Sequence, residues 1–146
     1  MIAIELNAER IENARHNAEL YGVADKIEFI CGDFIALAPK LAELNADAVF
    51  VSPPWGGPDY TAHEVFDIET MVPTGSSIYE AARLISPNIA MLLPRNCDAA
   101  QLAALAAGEE DARIECEENW LSMDGKKDER LKALTVYYGN LVQDSE

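Results

Sequence analysis

Short apolar runs alternate with stretches of helical period, and this alternation limits the fold more than any other feature of the chain. Met1 to Glu5 reads as a buried strand ending in a carboxylate. Asn7 can cap a helix over Ala8 to Tyr21, where Ile11, Ala14, Ala18 and Tyr21 recur at helical spacing and Gly22 stands at the C-cap place. Ile27 to Cys31 is a second strand, and Phe34 to Leu44 a second helix with Phe34, Leu37, Ala38 and Leu41 on one face. Ala46 to Val51 is a third strand. Thr61 to Ser77 carry little periodicity and read as an extended loop with a Pro73–Gly75 turn. Ser76 can cap a helix over Ile78 to Ile85, which Ser86 and Pro87 end. Asn88 to Leu93 is a fourth strand, and Asp98 can cap an alanine-rich helix to Ala107. Ala112 to Leu121 is extended, Ser122 to Arg130 is a polar hairpin turn around Asp124-Gly125, and Leu131 to Leu141 is a last strand before a frayed tail, Asp144 to Glu146. Four strand–helix units and a closing hairpin imply an α/β fold, with a mostly parallel sheet and a C-terminal antiparallel pair. Ligands bind such sheets at the carboxyl ends of the strands.

The chain has 146 residues, which fits a single domain over 1–146 with a real core. No apolar stretch approaches a membrane span, and the first residues have no charged leader, so neither a membrane segment nor a signal peptide is expected. Cys31, Cys97 and Cys116 stand singly, which gives no zinc spacing and no disulfide framework and fits a reducing compartment; no metal is expected. The net charge of −15 argues against grip on a nucleic-acid backbone, which needs Lys and Arg against phosphates. It leaves room for a single nucleotide in a pocket.

The strand ends carry the chemistry. Glu5 follows a strand in a βα unit, where an acid can accept from ribose hydroxyls; it can equally be a solvated acid at a helix N-terminus. Asp33 can accept from an adenine amino group with Phe34 near the ring, or simply cap the next helix. The third strand must stop at Ser52, because Pro53 and Pro54 have no N–H to continue a ladder. Trp55 is then fixed by two prolines before it and loosened by Gly56 and Gly57 after it. An indole held in that way suits the stacking of another flat ring, although a packed loop corner would use the same residues. Arg95 can fork onto phosphate oxygens or serve in a surface ion pair.

Ser52-Pro53-Pro54-Trp55 resembles the (Asn/Asp/Ser)-Pro-Pro-aromatic loop of S-adenosylmethionine-dependent methyltransferases that modify exocyclic amino groups. Such an amine is a poor nucleophile. A polar residue and the carbonyl between the prolines can accept its hydrogens and aim its nitrogen, and catalysis is mostly positioning in a dry site. The longer string Ser52 to Tyr60 resembles the trimethylguanosine synthases, a family of cap-specific guanine-N2 methyltransferases. The likeness extends to Ala24–Phe34, Phe66-Asp67-Ile68, Leu93–Asn96 and the closing Leu131–Leu141 strand.

The resemblance implies a class I, Rossmann-like methyltransferase fold and S-adenosyl-L-methionine as cofactor. It implies methylation at N2 of a 7-methylguanosine cap on small nuclear and nucleolar RNA, giving di- or trimethylguanosine, in the nucleus with the cytoplasm also open. A monomer is expected. Ser52, Pro53, Pro54 and Trp55 match the catalytic loop. Glu5, Asp33, Phe34 and Ser52 match the cofactor site. Trp55, Asp59, Arg95 and Asn96 match the cap site, with Trp55 stacking on a cationic base whose charge its ring face attracts.

The chain departs from the family pattern at its start. It opens directly at the second strand of the scheme, and nothing before Glu5 supplies the first strand and the glycine-rich loop that wraps the cofactor's methionine part. The expectation is the C-terminal two-thirds of a methyltransferase domain, whether a fragment, an incomplete gene model or a decayed paralogue. Such a chain alone is expected to bind S-adenosylmethionine weakly and to be inactive. The hairpin at Ser122–Arg130 is longer than the family suggests, and its Lys126, Lys127 and Arg130 either stay solvated or touch RNA. Two alternatives stand beside the cap reading: an inactive cap- or protein-binding module, and an amino-methyltransferase acting on another base.

Overall fold

Side chains at the helix starts decide where the helices begin. A computed structural model of the chain describes residues 1–57, 64–108, 112–123 and 126–143; for residues 122, 123 and 126–129 it describes the backbone. Strands β1 (Ile2–Glu5), β2 (Glu28–Cys31), β3 (Val49–Val51) and β4 (Ile89–Pro94) alternate with helices α1 (Ala8–Leu20), α2 (Phe34–Leu41), α3 (Gly75–Ile85) and α4 (Ala99–Leu105). Strands β5 (Ile114–Met123) and β6 (Lys126–Tyr138) follow. Asn7 Oδ1 accepts from the amides of Glu9 and Arg10 at 2.9 and 3.3 Å. Asp33 Oδ1 accepts from Ile35 and Ala36 at 2.9 and 3.3 Å, and Asp98 Oδ1 from Ala100 at 2.8 Å. All three caps are those read from the sequence. Each satisfies amides that a helix start leaves without partners, for about 1 kcal/mol.

Helix α3 starts earlier than expected, and its cap is Thr74 rather than Ser76. Thr74 Oγ1 accepts from the Ser77 amide at 3.2 Å. Ser76 is held from outside the helix, its amide and hydroxyl donating to Glu69 at 3.0 and 2.7 Å. The stretch before it is also more structured than the featureless loop expected. Phe66 bridges to Cys97 in parallel, and Ile68–Thr70 forms a short 3-10 turn. The hairpin differs too. The polar Ser122–Arg130 stretch reads as a turn, yet β5 and β6 run through it until Met123 pairs with Lys126. Cross-strand pairing overrides local polarity there. Strand β6 ends at Tyr138, and Gly139–Leu141 is a 3-10 turn rather than strand. The Asp124-Gly125 turn, the side chains of Lys126 and Lys127 and the Asp144–Glu146 tail lie outside the described residues.

The strands form a parallel pair, β1 with β2, and a four-stranded sheet in the order β3-β4-β6-β5. Within the latter β3 and β4 are parallel, and β6 lies antiparallel between β4 and β5. The core collects under the second sheet, where Ile89, Met91, Leu93, Val136 and Tyr138 are at most 1% exposed. Each such side chain contributes about 1.5–3 kcal/mol by leaving water. The Tyr138 hydroxyl donates to Leu102 O at 3.1 Å, and its ring meets that of Tyr79 edge-on at 4.8 Å.

Strands β1 and β3 make no ladder with each other. In the β1–β2 register, Glu28 N donates to Met1 O and Gly32 N to Glu5 O, so the backbones of Ala3 and Glu5 turn towards β2 and those of Ile2 and Ile4 turn away. In the β3–β4 register, Val49 N donates to Asn88 O, so Val49 and Val51 turn towards β4 and Phe50 turns away, with its side chain 64% exposed. Helix α1 packs on β1 and β2, whereas α2 and α3 pack on each other. Right-handed crossovers with α2 and α3 on one face and α1 on the other carry β3 and β4 away from β2 on the far side of β1. That succession leaves β1 and β3 each with an outward edge that pairs with no described strand. This is where strand succession reverses, the place at which open α/β sheets bind ligands.

Candidate functional site

The carboxyl ends of β1, β2, β3 and β4 carry the candidate residues. At the end of β1, Glu5 Oε1 accepts from the Asn7 amide at 2.8 Å, and Oε2 lies 3.7 Å from Arg10 Nη1. The carboxylate is 36% exposed. Its neighbour across the ladder is the end of β2, since Gly32 N donates to Glu5 O at 3.1 Å. Asp33 follows, with both its cap bonds falling on Oδ1, and Phe34 leans partly buried against the core. Two acceptor carboxylates thus follow the ends of neighbouring, paired strands.

At the end of β3 the prolines break the strand as expected. Ser52 and Pro54 are exposed, Pro53 is half-buried, and Trp55 packs one side against the core. Trp55 Nε1 donates to Leu92 O of β4 at 3.1 Å. Gly56 and Gly57 follow with φ of +83° and +75°, a left-handed backbone that glycine adopts without strain. Asp59 lies outside the described residues.

At the end of β4, Arg95 is exposed and donates from Nη1 to Leu131 O of β6 at 3.0 Å. Asn96 O accepts from the Phe66 amide at 2.8 Å. Beneath this loop, burial pushes the Cys97 thiol up to about 12, with Cys116 adding to the shift. The segment that Asn96 holds is braced in turn by Asp67. Its Oδ1 accepts from the Glu69 amide at 2.9 Å and from Gln101 Nε2 at 2.8 Å, and these bonds hold its carboxyl below the usual range.

The structure thus brings Glu5, Asp33 and Phe34 together on the β1–β2 pair. It brings Ser52, Pro53, Pro54 and Trp55 together with Arg95 and Asn96 on the β3–β4 pair. Sequence reasoning missed the Leu92 carbonyl, a backbone group with no sequence signature, and the Asp67–Gln101 brace. Among the described residues no three His, Cys, Asp or Glu side chains gather as a metal site. Among the same residues no helix is long and apolar enough to cross a membrane.

Residues 1–141 match the family model described as RNA cap guanine-N2 methyltransferase. The trimethylguanosine synthase of Schizosaccharomyces pombe is 38% identical over 108 residues, covering 71% of this chain and 45% of that protein. The trimethylguanosine synthase of Saccharomyces cerevisiae is 38% identical over 104 residues, covering 68% and 33%. The chain therefore spans less than half the length of either relative. Among solved structures, a precorrin 8W decarboxylase from Methanobacterium thermoautotrophicum superposes with a TM-score of 0.58 at 15% identity, over 94% of this chain and 68% of the other. A candidate RNA methyltransferase from Pyrococcus horikoshii gives 0.51 at 14% identity, over 93% and 60%. The fold is the Rossmann-like fold of class I methyltransferases.

Proposed function

Because this chain belongs to the RNA cap guanine-N2 methyltransferases, we propose that it serves S-adenosylmethionine-dependent methylation of N2 on a 7-methylguanosine cap, with small nuclear and nucleolar RNA in the nucleus as the substrate class. The observation that carries the reading is Trp55, fixed by its indole N–H at the end of β3 directly after Ser52-Pro53-Pro54. A methylated guanine is cationic and flat, and an indole face attracts both properties. Ser52 Oγ and the Pro53 carbonyl accept from the N2 amine and turn its nitrogen towards the cofactor side. Ser52 is exposed, so water takes the proton that nitrogen sheds on methylation. Arg95, steadied through Nη1, offers its remaining donors to the cap phosphates.

The donor set fits the nucleoside half of the cofactor. Carboxylates are acceptors only, and two of them on adjacent strand ends suit ribose hydroxyls at Glu5 and an adenine amino group at Asp33, with Phe34 beside the ring. When bound, S-adenosylmethionine supplies an electrophilic methyl on a sulfonium. The protein's own part is to hold the nucleoside, orient the amine and exclude water from between them.

Labelled S-adenosylmethionine incubated with m7GTP, GTP and adenine-containing oligonucleotides tests the reading. Transfer to m7GTP alone supports it. Transfer to adenine moves the acceptor to another base. Binding of m7GTP without transfer marks a cap-binding module.

A further inference from the structure

The β3–β4 ladder explains where the Trp55 anchor comes from. Val49 pairs with Ile89 and Val51 with Met91, and Val49 N donates to Asn88 O at 2.9 Å. In a parallel ladder of this register each alternate amide of β3 takes the next alternate carbonyl of β4. The Val51 amide falls to Ala90 O, and the next amide, that of residue 53, falls to Leu92 O. Residue 53 is proline and has no amide hydrogen. Leu92 O is partly withdrawn from water, and a carbonyl in that position is unfavourable without a donor. Leu92 O is instead taken by Trp55 Nε1, two residues further on, at 3.1 Å.

We propose that Pro53 is a positioning residue for Trp55. By lacking an N–H it hands the Leu92 carbonyl to the indole, which sets the plane of the ring beside Ser52. Pro53 thus ends the strand and also chooses the partner of the tryptophan. The meaning of that ring plane for catalysis rests on the cap reading above; the tether itself does not. With the second proline before Trp55 and the left-handed glycines after it, the indole bond is a link that registers the loop on β4.

The test uses nuclear magnetic resonance on 15N-labelled protein carrying Trp120→Phe, so that Trp55 gives the sole indole signal. Trp120 lies on β5, at the opposite edge of the sheet from β3, and bonds Glu118. Slow exchange of the Trp55 indole proton is expected. In Pro53→Ala the new backbone amide takes Leu92 O and becomes protected, while the indole proton exchanges about five- to tenfold faster, the equivalent of one hydrogen bond. Binding of m7GTP, read by quenching of Trp55, weakens by a similar factor. Trp55→Phe keeps a ring and loses the donor. Measured by calorimetry, it weakens m7GTP binding alone, and Pro53→Ala adds little on top of it.

An indole proton that exchanges at the rate of free tryptophan in the protein with Pro53 intact overturns the proposal, whether or not Pro53→Ala folds. So does unchanged indole protection in a folded Pro53→Ala variant. Fully additive losses overturn it as well. A protected indole with the expected response to Pro53→Ala, but no quenching by m7GTP, supports the tether and refutes the cap reading.

Discussion

Asp33 has two candidate duties, and one pair of substitutions separates them. As a cap, Asp33 uses one oxygen, Oδ1, for the amides of Ile35 and Ala36 at 2.9 and 3.3 Å. Asparagine presents a carbonyl oxygen on the same stem and caps nearly as well, so Asp33→Asn loses only the charge at the helix start, about 0.3–1 kcal/mol. Asp33→Ala loses the cap itself, for about 1 kcal/mol more. For a domain of this size that lowers the melting temperature by about 2–4 °C more. As an adenine acceptor, Asp33 makes a charge-assisted bond, which asparagine replaces with a neutral one weaker by about 1 kcal/mol, or about fivefold in affinity. Thermal melts of both variants give the first quantity, and titration with S-adenosylhomocysteine, as ratios to the unsubstituted protein, gives the second. Asp33→Asn is expected to melt above Asp33→Ala and to bind less tightly than the parent. Equal melting of the two variants would show that the cap argument is wrong. Unchanged affinity in Asp33→Asn would leave Asp33 a cap and nothing more.

Three further outcomes follow from the same geometry. Gly57→Ala forces a side chain onto φ +75°, with nothing within 4 Å of the added carbon, so the cost is backbone strain of about 1 kcal/mol; Gly57→Asn, which tolerates that backbone, should melt closer to the parent. The Asp67 carboxyl is held below its ordinary value by the Glu69 amide and the Gln101 side chain, so its contribution is full above the unfolded value of about 4 and fades as pH falls through the lower folded one. Urea midpoints measured from neutral to acid pH should therefore fall less steeply in the acid limb for Asp67→Asn than for the parent. Cys97, with its thiol pushed up to about 12 by burial, stays protonated at pH near 8, so in the native protein iodoacetamide should label exposed Cys31 first, Cys116 more slowly because burial and the Glu115 charge raise its thiol too, and Cys97 only in denaturant, as read by peptide mass mapping.

What was legible in the sequence was whatever is decided within a few residues. Asn7, Asp33 and Asp98 cap their helices because the side chain and the amides it serves are local. The stop at Ser52 was equally readable, since two missing amides cannot be hidden. At the start of α3, Ser76 is the cap the sequence suggests, and Thr74 takes that place because of contacts from outside the helix. Glu69 occupies Ser76, and Gly75 sits so close to Ile68 that an added carbon would lie 2.8 Å from it. The hairpin differs for a related reason, because residues 122–123 and 126–130 belong to β5 and β6 and their extension comes from pairing between the strands, which composition does not encode. In the site, the aromatic platform could be named from Pro-Pro-Trp. Its anchor lies 37 residues away on a backbone atom and depends on strand register, so no pattern of side chains announces it.

The placement of the two half-sites says more than their separate residues do. The acceptors suited to a nucleoside, Glu5 and Asp33, belong to the β1–β2 pair, while Ser52, Trp55 and Arg95 belong to the sheet that begins at β3. No ladder joins the two, and the backbones of Ile2, Ile4 and Phe50 turn away from their own ladders. Methyl transfer tolerates little error in distance, since reacting atoms must approach to about 3–3.5 Å. Within each half the geometry is held tightly: Gly32 N on Glu5 O on one side, Trp55 Nε1 on Leu92 O on the other. Between the halves it depends on α2 against α3 and on whatever engages the outward edges of β1 and β3. The order of the acceptor side and the order of the nucleoside side are thus separate properties of this chain. Binding of a cap analogue at Trp55 therefore does not by itself imply a correctly spaced nucleoside site at Glu5.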